Sequence, residues 1–163
     1  MNPSPFSLTA CFLLLGSLSA PAEDWPQWFG PNRDGVWRET GIVEKFPKGG
    51  PKVLWRTPIQ RGYAGPAVSG DRVYVMDREA DDSREARARA ARTGFKPGNE
   101  RLLCLDATTG RIIWEKSHRC AYTMAYSAGP RVTPTVDGDR VYTFGGEGNL
   151  ICRSTKDGAE KWS

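Results

Sequence analysis

The chain has one histidine and four cysteines in 163 residues, and no two of the cysteines are adjacent. Cys104 and Cys152 lie inside apolar runs, at a spacing unlike a zinc pattern and far in sequence from His118, so no metal site is expected. No apolar run reaches the roughly 18 residues of a membrane span. Charge of neither sign dominates: 23 basic and 19 acidic side chains give a net charge of +4, and no basic block suggests nucleic-acid binding. With 39% hydrophobic and 26% charged residues, wholesale disorder is excluded. The chain is instead rich in 18 glycines, 12 prolines and six tryptophans, a composition for many turns.

Residues 1–22 contain no Asp, Glu, Lys or Arg. An apolar stretch from Phe6 to Leu18 is followed by Ala20-Pro21-Ala22, and charge begins with Glu23 and Asp24. This pattern predicts a secretory signal peptide cleaved after Ala22, hence a periplasmic or secreted protein with no membrane span after cleavage. Leu8-Thr9-Ala10-Cys11 looks like a lipobox, but too little apolar sequence precedes it, and the apolar run continues beyond it. Cleavage leaves Cys104, Cys120 and Cys152, an odd number, with Cys104 and Cys152 expected as buried free thiols. The pairing of Cys120 stays open.

Self-comparison reveals a repeat. Pro66-Ala67-Val68-Ser69-Gly70-Asp71-Arg72-Val73-Tyr74-Val75 matches Pro134-Thr135-Val136-Asp137-Gly138-Asp139-Arg140-Val141-Tyr142-Thr143 at an offset of 68. Leu102-Leu103-Cys104, Gly110 and Trp114 match Leu150-Ile151-Cys152, Gly158 and Trp162 at an offset of 48. With the intervening insertions set aside the period is 39 residues, close to the ~40–45 of a β-propeller blade. Copy one predicts strands at Pro66–Ser69, Arg72–Asp77, Arg101–Asp106 and Arg111–Lys116. Copy two predicts them at Arg131–Val136, Arg140–Phe144, Asn149–Ser154 and from Ala159 to the chain end. Four antiparallel strands per copy make one blade.

Leu105-Asp106-Ala107-Thr108-Thr109-Gly110-Arg111-Ile112-Ile113-Trp114 resembles the tryptophan-docking motif of PQQ-like β-propeller repeats. The opening Asp24-Trp25-Pro26-Gln27-Trp28-Phe29-Gly30-Pro31-Asn32-Arg33-Asp34-Gly35 is similar to the start of secreted bacterial proteins of this kind, and Gly129–Tyr142 is equally typical of them. The resemblance implies an all-β fold, a partial propeller of four-stranded antiparallel blades. Its expected divisions are an N-terminal Trp-rich arm at 23–52, a strand of a partial blade at 53–58, blade one at 63–117 with a polar insertion at 78–100, and blade two at 126–163. The second copy reaches its tryptophan one residue before Ser163, so the chain is expected to be the N-terminal part of a longer propeller.

The resemblance makes Trp55, Trp114 and Trp162 docks for the neighbouring blade, with Gly110 and Gly158 as their turn partners. Trp25, Trp28 and Trp37 are not periodic and are expected to anchor the arm, with Trp25 and Trp28 also a possible ligand or partner surface. True quinoproteins of this resemblance sandwich PQQ between a Trp and a disulfide of adjacent cysteines, beside calcium. This chain lacks the adjacent pair and a matching calcium set, so neither PQQ nor calcium is expected unless further blades supply the site. Asp137, Asp139 and Glu147 read as turn residues, and Gly145-Gly146-Glu147-Gly148 as a hairpin connection. His118 and Cys120 could form a base and nucleophile, but two residues apart in a loop they lack an orienting partner, and a solvated histidine is expected. Arg153, in place of the apolar Leu105, is expected to loosen an outer contact.

The insertion carries six basic and five acidic residues. It predicts a rim helix over Ser83–Arg92, capped by Asp81 or Asp82 and stopped by Gly94. The functional expectation is a non-catalytic scaffold for a protein or cell-envelope partner, with outer-membrane assembly scaffolds as the nearest analogy. A quinoprotein oxidoreductase completed by further blades and a polysaccharide- or small-ligand-binding propeller are the alternatives.

Overall fold

The computed structural model describes residues 23–125 and 129–163. The expected signal peptide at 1–22, with its cleavage after Ala22 and the Cys11 motif, lies outside the described residues, as do 126–128 at the expected start of blade two. Strands β1 (Ala67–Ser69) and β2 (Arg72–Ala80) precede helix α1 (Arg84–Thr93), followed by β3 (Gly98–Asp106) and β4 (Ile112–Arg119). Strands β5 (Thr135–Asp137), β6 (Arg140–Phe144), β7 (Leu150–Ser154) and β8 (Glu160–Trp162) complete the order. They form two antiparallel sheets, β1-β2-β3-β4 and β5-β6-β7-β8, with neighbours in space also neighbours in sequence.

The repeat is visible in the ladders. Ala67 pairs with Tyr74 as Thr135 pairs with Tyr142, and Cys104 pairs with Trp114 as Cys152 pairs with Trp162. A register shift follows each cysteine, at Leu105 and at Arg153. The Tyr74–Trp114 ring centroids are 5.9 Å apart and those of Tyr142–Trp162 are 6.0 Å apart, with nearly equal tilts.

Strand alternation gives β2 and β3 two apolar faces. One face carries Tyr74, Met76, Leu102 and Cys104, which pack with Ala67, Trp114 and, from the second sheet, Val136 and Val141. The other carries Val73, Val75, Leu103 and Leu105, covered in part by Trp55. The central strands β2 and β3 are therefore buried on both faces, as those of a blade between neighbours must be.

Three expectations change. Residues 53–58 form no strand; Trp55 and Thr57 instead bond through their side chains to the next turn, where no strand lies alongside to supply a ladder. The insertion at 78–100 is not wholly a helical excursion on the rim, because its two ends extend the β2–β3 ladder through Arg78↔Glu100, Glu79↔Asn99 and Ala80↔Gly98. Only the middle leaves the sheet, as α1. The cap of α1 is Ser83 rather than Asp81 or Asp82: its hydroxyl accepts from the Ala86 amide at 3.1 Å, while Asp81 accepts from the Ser83 amide. Gly94 ends the helix in the left-handed region. Replacing Ser83 by Ala is expected to cost the helix about 1 kcal/mol. Hydrogen exchange should then show α1 amide protection falling about fivefold while the sheet amides hold.

Candidate functional site

Two regions place chemically informative side chains together: the seam between the sheets, and a polar cluster at the extended end of the first sheet. At the seam, Trp114 is 9% exposed, and its Nε1 donates to the Thr155 carbonyl at 3.1 Å. The ring and the Lys116 stem close over Gly158, where a Cβ would lie 2.8 Å from Trp114 Cε3, and φ is +70°. Only glycine meets both conditions without strain. One repeat earlier, Trp55 Nε1 donates to the Ala107 carbonyl at 2.9 Å and packs on Gly110 in the same way. Arg72 reinforces the seam by donating to the Thr155 and Lys156 carbonyls. Trp162 is 44% exposed. Arg153 does not leave a loose contact: it is buried, with Nη2 3.3 Å from Glu160 and Nη1 near the Gly158 carbonyl.

The arm reaches the same seam from another side. Trp25 exchanges backbone bonds with Val68, and the Pro26 carbonyl accepts from the Val136 amide, so the arm ties β1 to β5. Asp24 accepts from the Gly70 amide and the Ser69 hydroxyl. Trp25 is half-buried, its ring under Gly30. Trp28 and Trp37 do not anchor the arm; each is 61% exposed. The reason is geometric: the backbone bonds at Trp25 and Pro26 hold the arm, and the tight turn beyond them carries Trp28 outward. Trp28 lies 4.9 Å from the exposed Phe29 ring, beside a shallow groove lined by Gln27, Arg33 and Thr135.

The second region arises from the lengthened ladder. Glu100 on β3 is the register partner of His118 on β4. The chain beyond β4 stays paired, with Cys120 bonded to Gly98 and Tyr122 to Lys96 through the backbone. Alternation then puts His118, Cys120 and Tyr122 on one face. Glu100, Cys120 and Tyr122 are buried, and His118 is partly so. Glu100 Oε1 accepts from the Tyr122 hydroxyl and from the Gly146 amide at 2.7 Å. Gly145 and Gly146 of the β6–β7 turn come so close that a Cβ on either would overlap Glu100 or Tyr122. The cluster thus joins the two sheets. The Arg78 guanidinium stacks 4.2 Å from the Tyr122 ring centroid and donates to the Lys96 and Pro97 carbonyls.

His118 is therefore not a solvated loop residue, and it does have an orienting partner: its Nε2 lies 3.3 Å from Glu100 Oε2. Burial alone would raise the Glu100 carboxyl, but His118, the Tyr122 hydroxyl and the Gly146 amide together hold it below the ordinary glutamate range. Burial first, and the carboxylates of Glu100 and Glu147 next, push the Cys120 thiol up to about 11. A buried thiol held protonated is a poor nucleophile, and Cys120 Sγ contacts Asn149 Oδ1 at 3.6 Å rather than bonding to the imidazole. Sequence reasoning missed this site because Glu100 and His118 are 18 positions apart. The missed signal was the His-x-Cys-x-Tyr alternation at 118–122.

Cys104, Cys120 and Cys152 are free and lie in separate segments, and the faces of Trp55 and Trp114 are covered by the glycine turns. Asp139 sits in the β5–β6 turn, and Glu147 accepts from the Thr123 amide and hydroxyl.

Two four-stranded antiparallel sheets, stacked through Trp114, define consecutive blades of a propeller-type protein. Residues 98–163 match the family model described as outer membrane protein assembly factor BamB, a PQQ-like repeat. Over that segment the chain is similar to the PQQ-like propeller repeat. No curated protein matches the chain. Among the described residues no helix is long and apolar enough to cross a membrane.

Proposed function

We propose that the protein is an exported, non-catalytic propeller scaffold that holds a protein partner of the cell envelope on the aromatic surface of its arm. The observation that carries this reading is the Trp28–Phe29 pair, 61% and 51% exposed, presented by a turn whose base is bonded to both sheets. Exposed aromatics on a rigid base are suited to protein recognition, since they lose little conformational freedom on binding. The family model's description as an assembly factor of outer-membrane proteins supports the same class of partner. The test is a photo-crosslinking amino acid placed at Trp28 of the full chain in the cells that make it, with Arg89 on α1 as the comparison position. A discrete adduct to one envelope protein from position 28 alone is the expected result. No adduct at 28, or the same adducts from both positions, would overturn the proposal.

A further inference from the structure

The Glu100–His118–Cys120 cluster gathers three metal-ligating side-chain types at one place. Glu100 Oε2 is fully buried, and both it and His118 Nε2 lack a hydrogen-bond partner among the described residues. They face each other at 3.3 Å without forming a proper hydrogen bond. Their contact is that of an ion pair without hydrogen-bond alignment, and an ion bound to both would satisfy each. A carboxylate oxygen, an imidazole nitrogen and the Cys120 sulfur all lie within 4.8 Å of one another.

We infer that Glu100 Oε2, His118 Nε2 and Cys120 Sγ bind one zinc-like divalent transition-metal ion, which clasps the extended end of the first sheet to the β6–β7 turn of the second. Metal–ligand lengths of about 2.0–2.1 Å to nitrogen or oxygen and about 2.3 Å to sulfur give tetrahedral edges of about 3.3 Å for N···O and about 3.6 Å for S···O. The His118–Glu100 separation is 3.3 Å, and the Cys120–Asn149 separation is 3.6 Å. Asn149 Oδ1, from the second sheet's side, is in contact with the sulfur and is a candidate fourth ligand. Binding draws the three donors in from separations within 4.8 Å to these edge lengths. The mixture of thiolate, imidazole and carboxylate selects zinc or cobalt over magnesium or calcium. On binding, the thiol proton leaves to solvent, and no electron is transferred.

The remaining contacts fit this role. Glu100 Oε1 is already held by Tyr122 and the Gly146 amide, which aims Oε2 at the imidazole. The β2–β3 extension that positions Glu100 exists because of the insertion, so the clasp belongs to blade one's additional strand length and has no equivalent in blade two.

Zinc is spectroscopically silent, so cobalt(II) titrated into the full chain under reducing conditions is the probe. One equivalent should produce a thiolate charge-transfer band and tetrahedral visible bands, both removed by adding zinc. Cys120→Ser should abolish the charge-transfer band although Cys104 and Cys152 remain, and His118→Gln should weaken cobalt binding at least tenfold. X-ray absorption of the unsubstituted, zinc-loaded chain gives a reading independent of any variant's folding: one sulfur at about 2.3 Å is expected. An absent cobalt band, a band unchanged in Cys120→Ser, or a zinc shell of nitrogen and oxygen alone would overturn the inference.

Discussion

Trp114→Ala should lower the free energy of unfolding by about 3–5 kcal/mol, measured by urea denaturation followed by far-UV circular dichroism. The ring is 9% exposed, contacts Tyr74 in the core between the sheets, and donates to Thr155 of the second blade. Its removal leaves a cavity at the seam and an unpaired carbonyl in the turn. Trp162→Ala is the internal comparison. It removes the repeat-equivalent ring, which keeps the Tyr142 contact but is 44% exposed, so its effect should be clearly smaller. Equal losses would show that the stability resides in the Tyr–Trp pair within each blade and not in the docking between blades.

Asp77→Ala should be comparably damaging, by about 3–5 kcal/mol, for an electrostatic reason. Asp77 is fully buried on the face of β2 opposite the seam. Its carboxylate accepts two bonds from Arg101, at 2.8 and 2.6 Å, and one from the Gln60 amide at 2.6 Å. Arg101 also reaches Glu115 at 3.1 Å, but its side chain is only 14% exposed and depends on Asp77 for most of its pairing. Deleting the acid strands both the guanidinium and a backbone amide in a poorly solvated place. A double-mutant cycle with Arg101→Ala, read by the same unfolding curves, should give a large coupling energy. Simple additivity of the two losses would show that the pair is not the source of the stability.

The burial of this pair also bears on the arrangement of the chain before β1. Gln60 and Arg61 are bound to β2 by the Asp77 carboxylate and by the Arg78 amide. Trp55 and Thr57, a few residues earlier, are bound to the Ala107–Gly110 turn. The segment therefore covers the outer face of the first sheet without being a strand.

Much of this organisation was legible in the chain. The repeated Gly-Asp turn residues, the alternation around Tyr74 and Tyr142, and one tryptophan per repeat depend on local φ/ψ preference and on period-two patterning, which act within a few residues. They sufficed for two four-stranded sheets, whereas the packing of Trp55 on Gly110 and of Trp114 on Gly158 was expected from the family resemblance. Strand ends were less legible. Arg78, Glu79, Asn99 and Glu100 are polar, and polarity in a sequence reads as loop; in the structure these residues continue the ladder because β2 and β3 are already aligned by Tyr74, Met76, Leu102 and Cys104. The exposure of Trp28 and Trp37 was illegible for a related reason. An aromatic residue carries no local mark of whether a partner surface lies within reach, and here the backbone bonds of Trp25 and Pro26 take the arm's attachment.

The cluster at Glu100 shows the division most clearly. Residue identities set the available chemistry: one imidazole, one carboxylate and one thiol, with a His-x-Cys spacing that alternation would put on one face. Whether they meet depends on a ladder registered from the apolar end of the sheet and on glycines at 145 and 146 that let the second blade approach. Those are long-range conditions, set by burial and packing summed over both sheets, and no window of the sequence contains them.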